Sequence, residues 1–307
     1  MFVWYRRDLR IGEEKSIMIV RLVDILIGGL LMGGIYALIA VGFGLQYGVA
    51  RVLNIAHGEF IMLGSFAAWT LFTMLGVSPL ISLFICAPVF FAIGFVIYRV
   101  LYTPLRVSAE SPAAFEGNSM LASFGLMFVI QNIALIIWGA PVRGYSYMAY
   151  PIGFLGTVFP ANRIVTLVAS VVLGAAFYVF LANTRTGKAI RAAAQDANAA
   201  ELMGVHINRV LALCFGLGAT MAATGGLLLS MTSSVTTPFM GMEYTLIAII
   251  VVVLGGLGNI KGSFIGGFIL GLVGYIVTSF QPGLSMVAYY VIFLFLLLVR
   301  PMGLLGK

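Results

Sequence analysis

The run YTLIAIIVVVLGGLGNIKGSFIGGFILGLVGYIVTSF, residues 244–280, carries a single charged side chain, Lys261. A spanning helix needs about 20 mostly apolar residues, so this run is too long for one crossing of a bilayer. At its centre Asn259, Ile260, Lys261 and Gly262 supply a turn and a charge where a second crossing can begin. Working outward, further apolar runs fall at 25–47, 59–76, 79–98, 119–139, 163–183, 209–231 and 285–299, separated by polar or turn-rich breaks. The short run 244–258 suits either a crossing or a re-entrant segment. The expectation is an all-α polytopic membrane protein with eight to ten transmembrane helices, some broken or re-entrant. It divides into an N-terminal tail (1–24), one transmembrane domain (25–300) and a C-terminal tail (301–307).

Composition agrees with that reading. Of 307 residues, 62% are hydrophobic and 9% charged, against roughly 25% charged in a soluble domain. Mean hydropathy is +1.10. These values exclude a soluble enzyme, a nucleic-acid binder and a disordered chain. The net charge of +7 reads as loop asymmetry rather than as a site for acidic partners. With 184–208 cytoplasmic and nine runs alternating, Arg51, Arg99, Arg106, Arg185, Lys188, Arg191, Arg209, Lys261, Arg300 and Lys307 fall inside. Only Arg143 and Arg163 fall outside, a strong positive-inside bias. The N-terminal segment opposes it, because Arg6, Arg7, Arg10, Lys15 and Arg21 would then lie outside. A native start at Met18 would leave a short tail that crosses easily.

Several chemistries find no residues. Cys86 and Cys214 both lie in apolar runs, and no CxxC or HExxH occurs, so neither a disulfide framework nor a metal site is expected. His57 and His206 fall outside the runs. Glu59 and Glu243 fall at run ends and Asp24 precedes the first run, an arrangement that argues against a proton-driven carrier. The Thr186-Gly187-Lys188-Ala189 segment lacks the upstream glycine and the hydroxyl of a P-loop. If ATP drives this protein, another chain binds it.

The loop 184–208 is dominated by alanine, the strongest helix former. Thr184 or Thr186 can cap its start, and Gly204 suits a left-handed stop. Lys188, Arg191 and Gln195 recur on one side; Ile190, Ala193, Ala194 and Ala197 recur on another. The pattern predicts a compact amphipathic helix pair on the cytoplasmic face, either a partner-docking element or a solvated connector.

Four segments together, in order, resemble the permeases of branched-chain amino acid ABC importers, of the shorter type. They are Gly34 to Gly42, Asn54 to Glu59, Gly187 to Val205 with Asn208 to Phe215, and Val253 to Gly271. The resemblance implies a permease subunit of the bacterial inner membrane. Its expected partners are a second homologous permease, two ATPase subunits that use ATP and Mg, and an extracytoplasmic substrate-binding protein, with a heterodimer favoured over a homodimer. No cofactor is expected on this chain. The implied cargo is branched-chain amino acids, with urea or short amides as alternatives in the same family. A stand-alone secondary carrier or channel is the competing class.

The resemblance implies coupling to the ATPase through Gly187, Arg191, Ala192, Ala200 and Gly204. Asn54, His57 and Glu59 read either as an inner gate or permease contact, or as a helix cap and surface anchor, with Asn54 capping and Glu59 favoured by the dipole. Gly255, Gly256, Gly258, Gly262, Gly266 and Gly267 read as a pathway or as close helix packing. The chain departs from the family at 107–118, which holds Glu110 and Glu116 without a basic residue, and over its first seventeen residues.

Overall fold

The computed structural model describes residues 2–154, 157–233, 235–300 and 303–305, with side chains described from Val20 onward except Phe154 and Thr157. Twelve α-helices account for nearly all of it. They are α1 (Phe2–Ala50), α2 (His57–Leu75), α3 (Pro79–Ile97), α4 (Thr103–Ser108), α5 (Pro112–Trp138), α6 (Ala161–Asn183), α7 (Arg185–Gln195), α8 (Ala197–Leu202), α9 (Ile207–Thr232), α10 (Gly241–Gly255), α11 (Ile260–Phe280) and α12 (Ser285–Val299). Eight helical stretches are long and apolar enough to cross a membrane, and α10, at 15 residues, is shorter. With α10 the described residues hold nine apolar helices, within the expected eight to ten. The segment expected as a tail over residues 1–24 is continuous with the first span in one 49-residue helix.

Local chemistry sets the ends. Ser78 and Ser111 accept backbone N–H bonds at the starts of α3 and α5, each followed by proline at the first helical position. Asn259 accepts from the Gly262 N–H at 3.0 Å and starts α11, the second crossing that the turn at 259–262 predicts. Pro88 lies inside α3, and a π-helical turn at Tyr98–Tyr102 joins α3 to α4. The outer loop after α5 forms a two-stranded antiparallel hairpin, β1 (Pro151–Phe154) with β2 (Thr157–Pro160), which the hydropathy pattern does not reveal.

Helix α9 is the hub. In its most apolar window 89% of residues are buried, against 11% in the last span. Around the hub pack α1, α2 and α3. α1 also lies antiparallel along α11, where glycines set the spacing. A Cβ on Gly267 would strike the Ala37 backbone, and one on Gly271 the Gly33 backbone. The exposed large side chains of α3, α5 and α12, such as Phe84, Ile136 and Leu298, form the lipid-facing belt. At the outer rim Trp138 stacks on Phe66 at 4.7 Å, and Arg143 lies over Trp69. Burial pushes the Tyr145 phenol up to about 12, and its hydroxyl pairs with Ser230 at 2.9 Å. Cys86 and Cys214 are both buried and free.

Candidate functional site

The inner loop folds as its sequence predicts. The Thr184 hydroxyl accepts from the Gly187 N–H at 3.0 Å, capping α7. Asp196 breaks the chain and caps α8 by accepting from Asn198 and Ala199 at 2.9 and 3.0 Å. Gly204 ends α8 with φ +85°, a conformation that disfavours any side chain. Gly187 has a further reason to be glycine, because a Cβ there would meet the carbonyls of Phe180 and Leu181. Ile190, Ala193 and Ala200 are buried, so the pair is seated firmly on the transmembrane body. Ala192 is half-buried, and Arg191 is exposed and donates to the Ala182 carbonyl at 3.2 Å.

At the tip of α8 stand two side chains that pattern reading passed over. Leu202 and Met203 are 89% and 86% exposed. Next to α7, a groove of about 410 Å³ is bounded by Gly48 to Arg51 at the end of α1, by Arg106 and Glu110, and by Ala193 to Gln195. The exposed apolar tip and the groove bearing both charge signs are each suited to a protein partner.

The second site lies deeper than its sequence suggests. Asn54, His57 and Glu59 are all buried, as are Val52 and Ala56. Asn54 is not a side-chain cap. Its carbonyl accepts from His57 N–H, while its carboxamide donates to Gln46 Oε1 at 3.0 Å. His57 is neither at a surface nor outside the spans. Its Nδ1 lies 3.1 Å from Gln46 Oε1 and its Nε2 lies 3.0 Å from the Ile39 carbonyl, midway along the buried part of α1. Gln46 in turn donates to the Phe215 carbonyl on α9 at 3.2 Å. Thr245 donates to the Ile55 carbonyl and accepts from Gly58 N–H, and Ser123 accepts from Ile55 N–H. Side chains from α5 and α10 thus satisfy backbone groups of the α1–α2 break, the condition for non-helical chain at membrane depth.

Glu59 also departs from expectation, being 1% exposed beside Gly241 with neither carboxylate oxygen hydrogen-bonded among the described residues. It lies in the first turn of α2 and against the start of α10, two positive helix ends that favour a carboxylate. Glu59 thus stays at a helix end, where the argument against a proton-driven carrier places it, but its burial removes the surface-anchor reading.

The glycines resolve into packing and turns. Gly255 and Gly262 meet backbone to backbone, Gly266 lies against the Val251 carbonyl and Gly267 against Ala37. Gly256 and Gly258 carry φ +101° and +81° in the turn between α10 and α11. None of the six lines the inner groove. The coupling set and the buried set do not meet directly. They are linked by α1, in which Gln46 holds Asn54 and His57 while Gly48 to Arg51 border the inner groove.

Comparison with known proteins adds a family. The model for branched-chain amino acid transport system / permease component matches residues 25–299. The chain is 31% identical to the high-affinity branched-chain amino acid transport system permease protein LivH of Escherichia coli K12, covering 91% of this chain and 94% of LivH. It is 32% identical to the corresponding BraD protein of Pseudomonas aeruginosa, covering 92% and 95%. A solved chain of PsaBC from Streptococcus pneumoniae, in complex with Fab, matches 94% of this chain and 96% of that one. Its TM-score is 0.50 at 15% identity, a likeness of fold alone.

Proposed function

The chain belongs to the family of branched-chain amino acid transport permeases, and from that premise we propose that it is the membrane-spanning subunit of an ATP-driven importer of those amino acids. In this reading it works beside a second permease in the inner membrane of a bacterium. Two ATPase subunits, which bind ATP and Mg, dock on the cytoplasmic face, and an external binding protein delivers the substrate. The catalytic work is the ATPase's.

The observation that carries the reading is the α7–α8 pair. It is fixed to the body at Gly187, Ile190 and Ala200, and it offers Leu202 and Met203 to a partner. Seating those two side chains in an apolar pocket is worth about 1.5–3 kcal/mol each. Arg191 supplies a guanidinium for the partner's carboxylates or carbonyls. Closure of the ATPase pair then moves α7–α8 as a rigid body, and the bordering end of α1 carries the shift to the buried junction at Gln46, Asn54 and His57.

Mild detergent extraction from native membranes, with mass identification of co-eluting chains and an ATP hydrolysis assay, tests this directly. The expected result is a co-eluting ATPase and a second permease. A lone chain without ATPase activity in several mild detergents overturns it. The second reading, a secondary carrier, draws on one observation, the buried Glu59 carboxylate without a hydrogen-bond partner.

A further inference from the structure

On the face opposite α7–α8, a cavity of about 400 Å³ opens between α1, α6, α9, α10, α11 and α12. That volume lies within the range of about 300–1,000 Å³ typical of small-molecule pockets. Its wall holds one guanidinium, Arg163, and one carboxylate, Glu243. Four phenols also line it, from Tyr36, Tyr244, Tyr275 and Tyr289. Tyr289 donates to the Tyr36 hydroxyl at 3.4 Å with the rings edge to face, and the Tyr275 hydroxyl lies 3.4 Å from Asp24. Glycines make room for this wall. A Cβ on Gly28 would strike the Tyr275 ring and one on Gly274 the Tyr289 hydroxyl. Leu31, Met32 and Leu229 give the cavity an apolar side.

The two charges sit differently on their helices. Glu243 is in the first turn of α10, where the helix dipole favours it. Arg163 is in the first turn of α6, a 23-residue helix whose positive end disfavours a cation. A carboxylate bound there would meet both the guanidinium and the helix end. An ammonium bound near Glu243 would meet a fixed negative charge. Urea, a neutral amide or a sugar has no use for fixed charges of both signs, whereas an aliphatic zwitterion uses the charges and the apolar side together.

We propose that this outer cavity is an entry subsite for a zwitterionic aliphatic amino acid, with Arg163 receiving the carboxylate and Glu243 the ammonium. The inference rests on the importer reading above and names the residues that would accept its cargo.

The test uses the full-length chain in its native assembly in proteoliposomes, with radiolabelled L-leucine as probe. No uptake by the wild type would sink the importer reading, and this subsite with it. Given wild-type uptake, Glu243→Gln and Arg163→Gln should each cut the subsaturating rate about tenfold or more, the scale of one lost charge-assisted hydrogen bond. Arg163→Lys should recover part of the loss. Wild-type rates in both Gln variants would reject the subsite and leave the importer intact. A second measurement does not depend on folding of the charge variants. Ser285→Cys on the cavity wall is labelled with a membrane-impermeant maleimide, the native cysteines being buried. L-leucine should slow that labelling severalfold, while 3-methylbutylamine, which lacks the carboxylate, should not. Labelling indifferent to L-leucine would overturn the proposal.

Discussion

The α1–α11 seam and the α7–α8 pair are both built on small residues and use them for opposite ends. Along the seam, Gly33, Gly267 and Gly271 bring two helix backbones together where no water competes. In the inner loop, alanines give a short helix pair high propensity at small bulk, and two large apolar side chains, Leu202 and Met203, are left at its tip. The seam binds the chain to itself. The pair holds its surface for something else. Substitutions in the first should therefore cost folding, and substitutions in the second should cost communication between subunits.

The largest effect is expected at the seam. Gly267→Leu drives a side chain into the Ala37 backbone and should cost about 3 kcal/mol or more, read as lost monodisperse protein in detergent. A well-folded Gly267→Leu protein would break the comparison at its firmer end. His57→Ala strips a partner from Gln46 and from the Ile39 carbonyl and should cost about 1–3 kcal/mol in thermal unfolding. A variant as stable as the wild type would mean that the α1–α2 break is held by other contacts. Thr184→Ala removes the α7 cap and should cost about 1 kcal/mol, seen as faster hydrogen exchange confined to α7. The smallest stability change, within about 0.5 kcal/mol, is expected for Arg191→Glu and for Leu202→Ser with Met203→Ser. The double variant should nonetheless lose the co-purifying ATPase, and Arg191→Glu should uncouple hydrolysis from uptake. Wild-type coupling in both would deny α7–α8 its role.

The spans were legible because apolar length alone identifies a crossing, and the turn at Asn259–Gly262 was legible because a cap, a charge and glycines coincide. The α7–α8 pair was equally plain, down to the stop at Gly204 and a start cap narrowed to Thr184 or Thr186, of which the structure uses Thr184, since caps are local chemistry. The Asn54–Glu59 segment misled for a physical reason. A polar break between apolar runs looks like a water-exposed turn, and hydropathy does not register that α1, α5, α9 and α10 cover it. Its partners are remote in sequence, Ser123 on α5 and Thr245 on α10. The outer cavity was hidden likewise. Arg163 and Glu243 read as ordinary span-end charges until folding placed them on one wall.

The most direct test of the central claim is leucine uptake by the reconstituted assembly, measured with and without internal ATP and with an ionophore that collapses ion gradients. The importer reading predicts uptake that stops without ATP and persists with the ionophore. Uptake that follows the ion gradient and needs no nucleotide would contradict it, and would shift attention to Glu59.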